Sequence, residues 1–159
     1  VYSEPGQGSS FAIYLPRYAG LPSQPRAAIV AETALEGRET ILLVEDEPLT
    51  LALGKRILER LGYAVLSTGI PKEAIEIAER HRGAVALLVT DVVMPGMSGV
   101  EMVGRMLASR PDMGVLYVSG YRDDTIAGHG MSGAEVYLLQ KPFTVEAFTA
   151  KVRSILDGD

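Results

Sequence analysis

Four apolar runs in this chain each lead into a charged or hydroxylated residue, and the types of those residues fit one chemistry. Glu45, Asp46 and Glu47 follow Ile41-Leu42-Leu43-Val44, and Asp91 follows Leu87-Leu88-Val89-Thr90. Ser119 ends the run from Gly114 to Val118, and Lys141 comes after Val136-Tyr137-Leu138-Leu139 and Gln140. An apolar run with no polar interruption reads as a strand buried on both faces of a parallel sheet. Open α/β sheets place their ligand crevice at the carboxyl ends of the strands, at the topological switch point. There the ends of the first and third strands would bring Glu45, Asp46 and Asp91 together. Three carboxylates in one crevice repel one another unless a cation sits among them. A set of oxygen ligands without His or Cys favours a hard ion, Mg²⁺ or else Mn²⁺. Lys141 adds a fixed positive charge and Ser119 a hydroxyl donor. This constellation can receive a phosphoryl group, with Asp91 as the nucleophile and the cations neutralising the transferring oxygens.

The elements that must position these residues alternate regularly from Thr40 onward. The strands are expected at Ile41 to Val44, Ala64 to Leu66, Ala84 to Val89, Gly114 to Val118 and Val136 to Leu139. The first helix, from about Pro48 to Leu61, carries Leu49, Leu53, Ile57 and Leu61 at i, i+4 spacing as its core face, and Gly62 stops it. Pro71 suits the first turn of the second helix, which carries Ala74, Ile75 and Ala78 and ends near Gly83. After Asp91, Pro95-Gly96 and Gly99 turn the chain, and Ser98 with Glu101 forms a capping box. The third helix buries Val103, Met106 and Leu107, and Pro111 prevents its continuation. A short helix is expected at about Arg122 to Ala127. The last helix has Thr144 as N-cap and Phe148, Val152, Ile155 and Leu156 on its core face. Five strands alternating with five helices predict a doubly wound five-stranded parallel sheet, flavodoxin-like, in the order 2-1-3-4-5.

Before Thr40 the composition differs. Val1 to Ser3, a turn at Pro5 to Gly8, and an alternating strand from Ser10 to Leu15 read as a hairpin. Arg17 to Arg38 is rich in Pro and small residues and reads as a linker, with a short helix over Ala27 to Leu35. The chain has 159 residues, a net charge of −5 and no cysteine, which excludes disulfides, thiolate metal sites and thiol nucleophiles. Its acidity argues against nonspecific nucleic-acid binding. No apolar run approaches the roughly 20 residues that span a bilayer, and without a signal peptide the default location is cytoplasmic. A start at Val1 rather than Met suggests a piece of a longer protein.

Val44-Glu45-Asp46-Glu47, the stretch Asp91-Val92-Val93-Met94-Pro95-Gly96-Met97-Ser98-Gly99, Ser119-Gly120 and Lys141-Pro142-Phe143 together resemble the signature set of a response-regulator receiver domain. The resemblance covers about Thr40 to Asp157. It implies an acyl-phosphate at Asp91, taken from a phosphohistidine on a histidine kinase dimerisation or phosphotransfer domain. It implies Mg²⁺ held by Asp46 directly and Glu45 through water, with Asp91 and the backbone carbonyl of Val93 completing the site. Lys141 would contact the phosphoryl group, and Ser119 would move to hydrogen-bond it. The Lys141-Pro142 peptide is expected to be cis. Ser3 to Pro16 resembles the closing hairpin of a histidine-kinase ATP-binding domain. The implied organisation is therefore a remnant hairpin over 1–16, a linker over 17–39 and a receiver over 40–159. The parent would be a hybrid sensor kinase, with no membrane or nucleic-acid partner for this stretch and a homodimer left open.

Other readings of the same residues weigh less. The acids after Val44 would also favour a helix N-terminus, which is compatible with metal binding and is the whole role expected of Glu47. An Mg²⁺-dependent phosphohydrolase with an aspartate nucleophile would want a second acid two residues after it, where Val93 stands. A docking module that ignores phosphorylation would not need the full acid set with Lys141. A dinucleotide fold would follow its first strand with glycines, not acids. His81 and His129 read as surface residues near helix ends, and Met102, Met106 and Met113 as core. The resemblance also places a switch aromatic three residues before the Lys. Leu138 holds that position here, and Tyr137 lies one residue earlier. Either a bulge restores Tyr137 to that face or Leu138 fills the slot. The regular spacing after Leu138 favours the second, with activation acting mainly through Ser119 and the loop from Gly120 to Asp124.

Overall fold

A computed structural model describes residues 1–14, 37–120 and 136–158. A small antiparallel hairpin of β1 (Tyr2–Glu4) and β2 (Gly8–Ser10) comes first. The main body runs β3 (Thr40–Val44), α1 (Pro48–Arg60), β4 (Ala64–Thr68), α2 (Pro71–Arg80), β5 (Leu87–Asp91), α3 (Gly99–Leu107), β6 (Gly114–Ser119), β7 (Val136–Gln140) and α4 (Val145–Asp157). Its five strands pair in parallel in the order β4-β3-β5-β6-β7. Counted within this body, that is the expected 2-1-3-4-5.

The sheet is covered on both faces, which is why its central strands read as unbroken apolar runs. Leu42, Val44, Leu88, Val115 and Tyr117 face α2 and α3, and join Ala74, Ala78, Met102, Val103 and Met106 in one core. Ile41, Leu43, Leu87, Val89, Leu116 and Val118 face α1 and α4, and join Leu58, Phe148, Val152 and Ile155 in the other. Met102, Met106 and Met113 are buried, as expected. Helix ends follow the sequence signals in most places. Pro71 sits in the first turn of α2, Gly62 adopts φ +90° just beyond α1, and Thr144 Oγ1 accepts from the Ala147 N–H at 3.2 Å.

Several expectations need correction. Leu49 and Leu53 do not face the core: they are 80% and 58% exposed. Helix α1 instead buries Leu58, with Leu51, Ile57 and Leu61 partly covered and Gly54 against Leu43. Two stripes at helical spacing compete on this helix, and the small residue Gly54 lets the other one approach the sheet. On α3, Met102 is buried in place of Leu107, which is only partly covered. Ser98 Oγ accepts from the Glu101 N–H at 3.2 Å, but the Glu101 carboxylate pairs with Arg105 at 2.7 Å, so only half of the capping box forms. Strand β5 starts at Leu87 rather than Ala84 and includes Asp91, and α2 ends at Arg80. Hairpin pairing stops at Ser10, and residues 11–14 are exposed and belong to no strand. Residues 37–39, read as linker, are tied to the body. The Gly37 N–H donates to the Leu61 carbonyl at 2.9 Å, and Glu39 pairs with Arg153 at 2.9 Å. The short helices expected at about Ala27 to Leu35 and Arg122 to Ala127, and His129, lie outside the described residues.

Candidate acidic site at the carboxyl edge of the sheet

Asp91 is the last residue of β5, laddered to β6 opposite Val118. Its Oδ2 accepts from Lys141 Nζ at 2.9 Å, and its Oδ1 accepts from the Val93 N–H at 3.3 Å. The turn that follows holds the carboxylate still. Gly96 takes φ +83°, a conformation that disfavours any side chain, and Ser98 then caps α3. Gly99 closes the loop by donating its N–H to the Val92 carbonyl at 2.9 Å. A Cβ built on Gly99 would overlap the Asp91 carbonyl oxygen. This position therefore requires glycine because two stretches of backbone touch there.

Glu45 and Asp46 come from the end of β3. Glu45 is buried, its N–H bonded to the Thr68 carbonyl at 3.3 Å and its Oε2 accepting from Lys141 Nζ at 3.1 Å. Asp46 is exposed. One carboxylate oxygen from each of Glu45, Asp46 and Asp91 lies within 4.8 Å of the others. Three negative charges thus meet one ammonium, an imbalance that suits a further cation. All the donors are oxygens, so a hard divalent ion is the class that fits.

Lys141 reaches the two acids from beyond β7. The Lys141-Pro142 peptide is cis, as expected, and the Lys141 N–H donates to the Ser119 carbonyl at 2.7 Å. Burial works to depress the Lys141 ammonium, but hydrogen bonds and charge from Asp91 and Glu45 outweigh it and leave its pKa raised. Ser119 is buried at the end of β6, one step along the ladder from the pair Asp91 and Val118. Val93 is exposed and contributes its N–H to Asp91. Glu47 forms the N-cap of α1 with no side-chain bond to it. The structure therefore brings Glu45, Asp46, Asp91 and Lys141 together, with Ser119 and Val93 alongside and Glu47 apart.

Sequence reasoning did not foresee the bridge from Lys141 to Glu45, since the two are 96 residues apart and only the strand order makes them neighbours. It also missed what surrounds the acids. Leu49, Leu53 and Val145 are exposed on the elements flanking the crevice, as is Val93 within it. A narrow apolar cavity of about 80 Å³ runs under α1 between Leu43, Leu53, Phe143 and Phe148, and backs onto Glu45 and Asp91. A wider depression of about 820 Å³ lies at the opposite edge of the sheet, beside Ala86, Arg110, Gly114 and Ile155. The Arg110 guanidinium there is bonded to the carbonyls of Ala78, His81 and Gly83, and among the described residues no group of three acids like that of the other edge lies there.

Comparison with known proteins agrees with this geometry. Residues 41–153 match the family described as the response regulator receiver domain. Among curated proteins, the sensor kinase CckA of Brucella abortus is 35% identical over 98% of this chain, which spans only 17% of that protein. A crystal structure of the receiver domain from the hybrid histidine kinase CckA superposes with a TM-score of 0.63 at 32% identity, covering 74% of this chain and 98% of that one. A CheY-like receiver domain protein from Methanospirillum hungatei JF-1 gives a TM-score of 0.69 at 28% identity, covering 77% of this chain and 96% of that one.

Proposed function

This chain belongs to the response regulator receiver domain family of two-component signalling, and from that premise we propose that Asp91 is its phosphoacceptor. The observation that carries the reading is the single ammonium of Lys141 lying 2.9 Å from Asp91 and 3.1 Å from Glu45, with Asp46 close by. The donor would be a phosphohistidine on a histidine kinase dimerisation or phosphotransfer domain. A carboxylate oxygen of Asp91 attacks phosphorus, the P–N bond breaks, and its electrons return to the imidazole nitrogen, which takes up a proton. The Val93 N–H holds the other Asp91 oxygen in place during attack. Lys141 meets the transferring oxygens with fixed charge, in the manner of a preorganised electrostatic clamp. Ser119 hydrogen-bonds the transferred group once it arrives.

Glu45, Asp46, Asp91 and the Val93 carbonyl would hold Mg²⁺, with Mn²⁺ as a substitute. When bound, the ion supplies charge neutralisation of the acids and of the transferring phosphoryl oxygens. The exposed apolar residues Leu49, Leu53 and Val145 around the crevice suit a docked partner helix. The covered chain acts as a phosphoacceptor module rather than as a catalyst with turnover. The sensor-kinase alignment extends over 98% of the chain, whereas a stand-alone receiver relative, CpdR of Brucella abortus, aligns with 73%. That difference supports a hybrid-kinase parent, with 1–16 from the kinase ATP-binding domain, 17–39 as linker and 40–159 as receiver, working in the cytoplasm.

The test is direct. With Mg²⁺ and a small phosphodonor such as acetyl phosphate, intact mass spectrometry should show one added phosphoryl group on the wild type and none on Asp91→Asn. Labelling that survives the substitution would assign the acceptor elsewhere.

A further inference from the structure

One row of residues crosses the sheet just below the acids. The ladder pairs Val44 with Thr90, Thr90 with Tyr117, and Tyr117 with Leu138, and Val44 and Tyr117 lie in the core beneath α2 and α3. Tyr117 sits in the middle of this row, two residues before Ser119 on the same strand, so both side chains point to the same face. The Tyr117 ring is fully buried, and its hydroxyl has no hydrogen-bond partner among the described residues. Burial also pushes its ionisation well above the ordinary tyrosine range, so the group stays a neutral, undonated O–H.

Buried polar groups without partners are rare in folded proteins, and each one carries the full cost of losing water. Phenylalanine would fill the same space without that cost. The rest of the row explains why the cost can be relieved. Leu138, the ladder partner on β7, is 43% exposed, so the row opens towards solvent one residue beyond the tyrosine. The other aromatic nearby cannot serve, since β7 pairs with β6 in unbroken register and no bulge turns Tyr137 over. Tyr137 packs on the opposite face, with Lys151 Nζ 4.7 Å from its ring centre.

We propose that Tyr117 is a positioning residue that links Ser119 to the open end of this row. In the unloaded domain its hydroxyl is buried and has no partner among the described residues. When Ser119 is drawn to a phosphoryl group on Asp91, the end of β6 shifts and the ring moves with it towards Leu138, where water can pair the hydroxyl. The loaded state is thereby favoured by relief of one unsatisfied group. This inference rests on the phosphoacceptor reading above.

The experiment compares the whole chain with its Tyr117→Phe variant in two measurements. Thermal unfolding without Mg²⁺ or phosphoryl mimic should give a melting temperature several degrees higher for Tyr117→Phe. Titration with beryllofluoride and Mg²⁺, followed by fluorine NMR, should show binding about five-fold weaker in the variant, the size expected for one hydrogen bond gained on loading. A melting temperature equal to or below wild type would mean that the hydroxyl is already paired in solution, and would overturn the proposal. So would a higher melting temperature with unchanged beryllofluoride affinity, because a purely structural cost would raise the first and leave the second alone. Failure of the wild type itself to take up beryllofluoride would instead overturn the phosphoacceptor reading, and this inference with it. The melting comparison is independent of that reading and separates the two failures.

Discussion

The two edges of the sheet use cations in opposite ways. At the carboxyl edge, one ammonium, Lys141, serves two acids directly and stands beside a third, Asp46, which has no cation of its own among the described residues. At the amino edge, two guanidinium groups are taken up in holding the chain together. Arg110 makes four hydrogen bonds to the carbonyls of Ala78, His81 and Gly83, at 2.5 to 2.9 Å, and so caps the chain leaving α2. Arg153 pairs with Glu39 at 2.9 Å and Asp157 at 2.8 Å, and it donates to the Tyr63 hydroxyl at 3.3 Å. The edge proposed to accept an ion and a phosphoryl group keeps an imbalance of charge. The opposite edge spends its cations on carbonyls and carboxylates that tie segments of the chain together. The contrast separates chemistry from stability along one axis of the molecule, and substitutions at either edge can break or sharpen it.

The largest effect is expected at Lys141. Replacing it by Met should lower the rate of phosphoryl uptake at least about 100-fold, the usual loss when one preorganised charge is removed from a transfer site. The same change should tighten Mg²⁺ binding measured by calorimetry, because the ammonium no longer competes for Asp91 and Glu45. Weaker metal binding in Lys141→Met would mean that the imbalance is not what attracts the ion.

Next comes Arg110. Its loss in Arg110→Ala should cost about 2–3 kcal/mol in denaturant unfolding, since three carbonyls lose a charged donor. Phosphoryl uptake by the folded variant should match wild type. A large fall in uptake would join the two edges that the comparison separates.

A smaller effect, about 1–2 kcal/mol at neutral pH, is expected for Glu39→Gln. The hydrogen bond from Arg153 holds the Glu39 carboxyl below its usual range. A carboxyl with a depressed folded pKa contributes stability that is complete above its unfolded value, about 4.3. That contribution shrinks below this pH and is gone once pH has fallen through the folded value. The stability gap between wild type and Glu39→Gln should therefore be constant near neutrality and close in acid. A gap that widened on acidification would reverse the assignment.

The smallest change belongs to Leu49 and Leu53. Their joint replacement by Ser should alter stability by no more than about 0.5 kcal/mol, because both are exposed. It should still slow transfer from a phosphorylated partner domain relative to transfer from acetyl phosphate. Equal slowing with both donors would place the leucines in the chemistry rather than in docking.

The sheet and its acids were legible in the chain because burial on both faces leaves long apolar runs, and the runs from Ile41 and Leu87 each stop on an acid at the crevice. Asp91 and Glu45 could be placed at strand ends by that rule alone. The face of α1 was not legible, since the spacing of Leu49 and Leu53 is as regular as that of Leu51, Leu58 and Leu61, which pack. Only the close approach of Gly54 to Leu43 decides between them. Nor could the chain announce the long-range partners of Arg110 and Arg153, which lie 27 to 32 and 90 to 114 residues away. Such side chains look like ordinary surface cations until the fold brings carbonyls and carboxylates to them. Tyr117 read as one more apolar strand residue, and its unpaired hydroxyl exists only in the packed core.

The contact between Gly99 and the Asp91 carbonyl has a mechanical consequence. With no room for even a methyl group between them, the first turn of α3 and the acceptor residue form a single stiff piece. If Asp91 takes a phosphoryl group as proposed, that flank has no room to give. The other flank is open to movement through β6 and the Lys141–Ser119 main-chain bond, towards the outer strand β7. One flank of Asp91 is closed by backbone contact, so a displacement caused by the proposed phosphoryl group would be carried by the other.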